Sequence, residues 1–202
     1  MNNTMMNEER GLSVKDLVTT GIFSALFAVV TMIGGGVFAC NPVLTYWLPP
    51  AVAILTAPVY LLMVAKVPKH GPILIMGILM GILMFVTGMY WMWPIAYVVF
   101  AIAAELVSGI GKFKNMKSNI LGYIIFSLNP LVTYSMMWIN QKEYVEYLLK
   151  KGTDQAYMDT MIATAQSWML PAIIISTVIL AWIGALIGKH LLHKQFEKAG
   201  II

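Results

Sequence analysis

Six long apolar runs constrain the fold of this chain more than any other feature of its sequence. A helix needs about 20 apolar residues to cross the roughly 30 Å of hydrocarbon in a bilayer. The runs do not alternate polar and apolar residues, as the strands of a membrane β-barrel do. We therefore predict an all-α, polytopic membrane protein, with residues 1–202 forming one bundle of six transmembrane helices. The runs lie near residues 17–38, 44–64, 73–89, 94–110, 120–138 and 168–188.

The composition also indicates a membrane protein. The chain is 59% hydrophobic, and only 11% of its residues are charged. Soluble domains carry about 25% charged residues, so this chain could not cover a water-exposed surface with polar groups. Its polar N-terminal stretch lacks the pattern of a cleavable signal peptide, and we expect the first span to remain as a helix. The single cysteine, Cys40, excludes an internal disulfide and a cysteine-based metal cluster.

The distribution of basic residues predicts the orientation. Three of the thirteen Lys and Arg residues, namely Lys142, Lys150 and Lys151, fall in one long loop at residues 140–167. Because cytoplasmic loops carry the excess of Lys and Arg, we expect this loop outside the plasma membrane and both termini in the cytoplasm. The other ten lie on the opposite side of the spans: Arg10, Lys15, Lys66, Lys69, Lys112, Lys114, Lys117, Lys189, Lys194 and Lys198.

No pattern in the sequence is typical of catalysis or of a bound metal. Gly111 and Lys112 lack the surrounding residues of a phosphate-binding loop, so the chain has no visible means of hydrolysing ATP. Its three histidines fall near helix ends, and no serine has a plausible histidine partner at the same depth. We predict a protein that is not an enzyme and that holds no metal and no cofactor. The basic residues are scattered at helix ends, which argues against a nucleic-acid partner.

Aromatic and polar residues in the outer half of the spans form a candidate binding site. They come from five separate segments, and aromatic walls with few polar groups suit a flat, mostly neutral organic ligand. Trp and Tyr are also enriched where membrane meets water, so an interface belt is the alternative for each of them. The candidates are Asn41, Tyr46, Trp47, Tyr90, Trp93, Tyr97, Tyr134, Trp138 and Gln166.

Glu105 and Asn129 are the polar residues expected near the middle of the membrane. A charged carboxylate there costs about 2.5–3.5 kcal/mol, so it should face the bundle and have a partner. We expect a structural hydrogen bond from Asn129 or Ser108 to Glu105. The alternative is a contact between Glu105 and a cationic part of the ligand.

The outer loops contain helix breakers. Three successive glycines at positions 34–36 predict that the first span ends or frays there. Pro49, Pro50 and Pro58 then interrupt the second span, which indicates either a broken helix lining a cavity or a hairpin with a proline kink. The 140–167 loop contains an amphipathic helical pattern, which we expect on the membrane surface as a lid or a connector.

Several stretches resemble the MptD (Trep_Strep) group of S components of energy-coupling factor (ECF) transporters. They are TGIFSALFAVV in span one, the GGGVF that follows, and AELVSGIGKFKN in span four. The resemblance extends over essentially the whole chain. It implies a subunit of an ABC-type importer that binds a vitamin or similar small nutrient at the outer face. It also implies a transmembrane T component and two cytoplasmic ATPase subunits as partners, with membrane lipid around the bundle.

In that family, small residues on the first span contact the T component. The matching positions here are Gly21, Ser24, Ala25 and Ala28. Two other functions are compatible with the residues. One is a self-sufficient, ion-coupled secondary transporter with Glu105 as the proton-coupling group. The other is a membrane-bound assembly protein without a ligand.

Overall fold

The computed structural model describes residues 11–191 together with residues 193 and 197, and these described residues form helices joined by short connections. The predicted all-α class is confirmed for this part of the chain. Arg10, Lys194 and Lys198, which entered the orientation argument, lie outside it. The helices are α1 (Val14–Ala39), α2 (Leu48–Lys66), α3 (Pro72–Val86), α4 (Met92–Ile110), α5 (Met116–Ser127), α6 (Asn129–Ile139), α7 (Gln141–Lys150), α8 (Gln155–Thr164) and α9 (Met169–Leu191).

Among the described residues, five segments are helical, long and apolar enough to cross a membrane. They are Val14–Ala39, Leu44–Lys66, Met92–Ile110, Met116–Ile139 and Met169–Leu191. The third predicted span is shorter than expected: it forms α3, with 15 residues. At 1.5 Å per residue, α3 is about 22 Å long. It ends because Gly88, in the left-handed region at φ 77°, turns the chain toward α4.

The first span continues as a helix through its three glycines, so the prediction that it ends there is wrong. Close packing on α2 explains the difference. A Cβ at Gly34 would lie 2.5 Å from Leu55, and a Cβ at Gly35 would lie 3.4 Å from Leu48 and Val52. Glycine costs a helix roughly 1 kcal/mol relative to alanine, and contacts with a neighbouring helix outweigh so weak a preference.

The second span is also a continuous α-helix, preceded by a 3-10 turn at Leu44–Trp47. Pro49 and Pro50 fall in the first turn of α2, where backbone N–H groups have no partner within the helix in any case. Pro58 lies inside the helix and packs against α9, since a Cβ at Gly188 would lie 3.1 Å from the Pro58 Cα. The expected interruption is therefore absent from the described α2.

Glycines inside α3 and α9 allow helices to pack closely within the bundle. A Cβ at Gly77 would lie 2.3 Å from the Ala101 Cβ, so α3 and α4 approach closely. A Cβ at Gly184 would lie 2.6 Å from the Ile54 carbonyl oxygen, which brings α9 onto α2. Small residues allow such approaches in lipid, where helices associate through van der Waals contact.

The two ends of the bundle differ in chemistry. The basic end holds the α2–α3 connection, the α4–α5 turn and the start of α1. There Lys69 Nζ lies 2.9 Å from Asp16 Oδ2, while Ser13 and Asp16 form a capping box at the start of α1. The opposite end holds the segment between α1 and α2, the α3–α4 turn and the helices α7 and α8. We call α7 and α8 the roof, and this end the roofed end.

The roof is folded onto the bundle. Residues 140–167 form the two short helices, joined by a turn in which Gly152 has φ 95°. Tyr144 of α7 and Met158 and Met161 of α8 are buried. The sequence predicted a segment lying on the membrane surface, whereas these side chains pack into the protein core. Apolar residues on one face of each short helix explain this docking.

Candidate ligand-binding site

A cavity of about 410 Å³ lies at the roofed end, between the walls of the bundle and the roof. Its walls come from α1, the 3-10 turn, the start of α2, the α3–α4 region and α6, and the roof closes it from above. Ligand-binding pockets for small organic molecules have volumes of about 300–1,000 Å³. Among the described residues that line the cavity, none is Asp, Glu, His, Lys or Arg. The site is therefore suited to an uncharged molecule.

Trp93 forms part of the wall and is held from two sides. It lies at the start of α4, and its Nε1 donates a 2.8 Å hydrogen bond to Oδ1 of Asn129. Asn129 begins α6 just after the end of α5, and its Nδ2 donates to the Phe126 carbonyl. The Trp93 ring also stacks on Tyr97, with centroids 6.4 Å apart and planes 7° apart. These contacts fix the orientation of the indole.

Tyr90 connects the wall to the roof. Its hydroxyl donates a 3.0 Å hydrogen bond to Glu143 Oε1 of α7, and its ring lies 5.2 Å from that of Tyr144. Burial raises the pKa of Tyr90, and the neighbouring Glu143 carboxylate raises it further by disfavouring the tyrosinate. Burial also raises the pKa of Tyr144 and of Tyr157. All three phenols therefore stay neutral at physiological pH.

Two tyrosines attach the second roof helix to the bundle. The Tyr157 hydroxyl donates a 2.7 Å hydrogen bond to the carbonyl of Ala39 at the end of α1. The Tyr46 hydroxyl donates a 3.0 Å bond to the carbonyl of Met161 in α8. Because α7 rests on the α3–α4 side and α8 on the α1–α2 side, the cavity lies beneath both.

Two hydroxyls of the cavity lining have no hydrogen-bond partner within the described part of the chain. They belong to Thr31 of α1 and Thr133 of α6, which are only 6% and 3% exposed. A buried hydroxyl without a partner costs free energy, which a bound ligand with a complementary group can recover. Other polar groups of the wall bond within the protein: Tyr134 and Thr45, for example, hydrogen-bond each other at 3.2 Å.

The structure brings three of the nine predicted site residues into the cavity lining: Tyr90, Trp93 and Tyr134. The other six lie outside it. Three of them support the walls or the roof: Tyr97 lies against Trp93, Tyr46 bonds the roof, and Trp138 packs on Tyr46 with ring centroids 5.4 Å apart. Trp47 is partly buried against the core, Asn41 accepts backbone hydrogen bonds at the 3-10 turn, and Gln166 is exposed.

Sequence reasoning missed the threonines and tyrosines that complete the lining. Thr31 carries a usable signal: Thr20, Ser24, Phe27, Thr31 and Gly35 recur every three or four residues and form the buried side of α1. Tyr144 and Tyr157 lay in the stretch expected on the membrane surface.

The sequence also matches a known family. The description of that family is "hypothetical bacterial integral membrane protein (Trep_Strep)", and the match covers residues 14–198. The chain belongs to the Trep_Strep family. No curated protein and no solved structure matches it. Membership agrees with the apolar helices and identifies the chain as a bacterial integral membrane protein.

In this Trep_Strep protein, Glu105 has a role different from the predicted one. It lies at the basic end, where its carboxylate accepts hydrogen bonds from the backbone N–H of Gly71 and, at 2.8 Å, of Leu74. His70 Nδ1 lies 3.6 Å away. The prediction of a hydrogen bond from Asn129 or Ser108 to Glu105 is therefore wrong. The start of α3, at Gly71-Pro72, lacks a capping side chain of its own. Glu105 supplies that cap from α4.

The small residues on the first span of the Trep_Strep protein divide between two faces. Ser24 is buried and donates to the carbonyl of Thr20, so in this structure its side chain faces the bundle. Ala28 packs partly against the core. Ala25 is exposed, and a Cβ at Gly21 would have no other atom within 4 Å. Gly21 and Ala25 are therefore accessible to a neighbouring helix.

Proposed function

We propose that the protein is the substrate-binding S component of an ECF-type ABC importer, which captures a small, mostly neutral organic nutrient at its outer face. The observation that carries this proposal is the uncharged cavity under the roof, with two buried hydroxyls left without partners. A cavity of this kind provides shape, apolar contact and a few directed hydrogen bonds, which is what a non-enzymatic binding subunit requires.

The packing below the cavity favours capture over conduction. Tyr97, Phe126, Tyr60 and Tyr123 form a column of buried rings, with successive centroids 5.8, 5.5 and 5.1 Å apart. A ligand could move past this column only if the helices rearranged. An S component meets that requirement through its T component and ATPases, which supply the energy that this chain has no motif to obtain.

Glu105 does not favour the alternative of a proton-coupled secondary transporter. Each of its carboxylate oxygens accepts a backbone N–H, and it lies at the end opposite the cavity. A coupling carboxylate would need contact with the transported molecule or with a path leading to it.

Reconstitution tests the proposed function. The protein is co-expressed with the T component and ATPases encoded in the same genome, and the purified complex is placed in liposomes. We expect a stable assembly, a small molecule retained in native mass spectrometry, and uptake of that molecule that requires ATP. Uptake by the isolated protein driven by a proton gradient would overturn the proposal.

The exposed small residues of α1 provide a matched pair of variants for this assembly. Gly21→Leu should weaken association with the T component, because a large side chain blocks close approach of helices. Gly11→Leu is the control, since a Cβ at Gly11 also has no atom within 4 Å but the residue precedes α1. Equal losses for the two variants would show that this face is not the interface.

A further inference from the structure

On the side of the bundle where α1 and α3 are neighbours, α3 is too short to cover the whole height of the cavity. Both helices start near the basic end, where Leu12 packs on Gly71 just before α3. With 26 residues, α1 is about 39 Å long, whereas α3 with 15 residues is about 22 Å long. The two helices differ in length by about 17 Å, so the last turns of α1 continue past the end of α3.

The cavity reaches the side of the bundle past the end of α3. Met32 of α1 and Met89 of the α3–α4 turn line the cavity and are nevertheless 43% and 39% exposed. A side chain that lines the cavity and is also exposed lies between the cavity and the surroundings, so the cavity comes close to the outside at these positions. We call this gap, bordered by Met32, Thr87 and Met89, the side opening.

The surroundings of the side opening are apolar apart from Lys151 of the roof, whose side chain reaches Gly88 between Thr87 and Met89. Ile33 and Val37 of α1 and Phe85 and Val86 of α3 are all well exposed, and they stand next to the residues that border the opening. In a membrane-spanning helix, exposed side chains of this kind face hydrocarbon. The opening thus faces the acyl chains of the bilayer more than water.

The lining of the cavity, like the surroundings of the side opening, favours an uncharged molecule. The lining carries no charge among the described residues, and the hydroxyls of Tyr90, Tyr134 and Tyr157 are bound to protein partners. A ligand meets apolar surface and neutral hydroxyls, among them those of Thr31 and Thr133, which have no partner within the described residues. A charged ligand would be desolvated without a counter-charge, which is costly.

From these observations we infer that the ligand is an uncharged, largely apolar molecule with one or two hydrogen-bonding groups, and that it reaches the cavity from the bilayer through the side opening. This inference rests on the proposed function only in taking the cavity as the ligand site. It requires neither the T component nor ATP.

A matched pair of photoreactive probes tests the ligand class. One is a trifluoromethyl-diazirine benzyl alcohol, and the other is the benzoic acid of the same skeleton. The full chain in nanodiscs is photolysed with each, and labelled peptides are mapped by mass spectrometry. We expect the alcohol to label the peptides of Trp93 and Tyr134 saturably, and the acid to label them at least about tenfold less. Equal labelling by both probes would overturn the ligand class.

Narrowing the side opening tests the route. Met32→Trp places a large ring at the opening, and Ile22→Trp places the same ring on an exposed part of α1 outside the cavity. In rapid-mixing flash photolysis, Met32→Trp should slow the labelling of the Tyr134 peptide by about tenfold. The Ile22→Trp variant should be labelled at the wild-type rate. An unchanged rate in Met32→Trp would overturn the side route and point to the roof.

A folding control and a second variant complete the test of the route. Thermal unfolding shows whether each variant is folded. Gly36→Leu is a second obstruction of the cavity, because a Cβ there has no atom within 4 Å. Wild-type labelling rates in both obstructed and folded variants would also overturn the side route. If the alcohol labels the cavity but no T component assembles with the protein, the proposed function fails and the inference stands. If the complex takes up a charged nutrient with ATP, the proposed function stands and the inference fails.

Discussion

Trp93 is the wall residue whose loss should affect ligand binding most. It is 5% exposed and lines the cavity, whereas its neighbour Trp91 is 43% exposed and lies outside the lining. Trp93→Ala should cost about 2 kcal/mol of binding free energy, roughly thirtyfold in Kd for the benzyl alcohol probe. Trp91→Ala, the matched control, should change Kd by less than about twofold. Equal effects would mean that the aromatic residues form only an interface belt.

Glu105 should matter for stability and not for ligand binding. Glu105→Ala leaves two backbone N–H groups at the start of α3 without an acceptor, at a cost of about 1–3 kcal/mol. Glu105→Gln keeps one acceptor oxygen and should lose less. The measurement is detergent-induced unfolding, with Glu146→Gln as the control because Glu146 forms only an exposed pair with Lys150.

Probe affinity separates the two interpretations of Glu105. Because the carboxylate lies at the end opposite the cavity, Kd should remain unchanged in folded Glu105→Gln. A large loss of affinity without a loss of stability would contradict the capping role and restore a ligand contact.

For single residues, the sequence predicts which residue types form the site better than it predicts their hydrogen-bond partners. Tyr90, Trp93 and Tyr134 were identified because aromatic residues from separate spans converge at one depth. The hydrogen-bond partner of Glu105 was not identified, because the start of α3 lies more than 30 positions away and offers only backbone N–H groups. Thr31 and Thr133 escaped notice because threonines in membrane helices commonly bond their own backbone, as Thr56 does here.

Among the elements, the attached roof should prevent a ligand from leaving upward, so that loosening it adds a second exit beside the side opening. Tyr157→Phe removes the bond from α8 to the Ala39 carbonyl but keeps the ring that lines the cavity. A hydrogen bond contributes about 1 kcal/mol, so release of the benzyl alcohol probe should accelerate about fivefold. In Thr160→Val, which removes an exposed hydroxyl that bonds the Ala156 carbonyl within α8, release should change less. Identical release rates in both variants would contradict a role for the α8 attachment.

The helices show where local preference yields to packing. The apolar runs predicted most of the bundle, because length and hydropathy are properties of each run alone. Whether the glycines at positions 34–36 end a helix depends on Leu48, Val52 and Leu55 of α2, which no local pattern reveals. The length of α3 likewise depends on a turn at Gly88 that an apolar run passing through Met89 conceals.

For the molecule as a whole, the asymmetric distribution of basic residues leads to a labelling test of orientation. In a Cys40→Ala background, Gln155→Cys in the roof should react with an impermeant thiol reagent on intact cells. Lys114→Cys at the basic end should react only after lysis, because the positive-inside rule places that end in the cytoplasm. Both positions are exposed, so reactivity reports the side of the membrane. The reverse pattern would place the roof in the cytoplasm.

The shortness of α3 makes the protein sensitive to the thickness of its bilayer. A helix of about 22 Å beside roughly 30 Å of hydrocarbon creates a mismatch of about 8 Å, and lipids accommodate such a mismatch by thinning locally. Thinning next to α3 draws the headgroups at the roofed end toward the side opening and shortens the path from the lipid surface to the cavity. We expect probe labelling to be faster in short-chain than in long-chain phosphatidylcholine nanodiscs; equal rates would show that bilayer thickness has no part in ligand access.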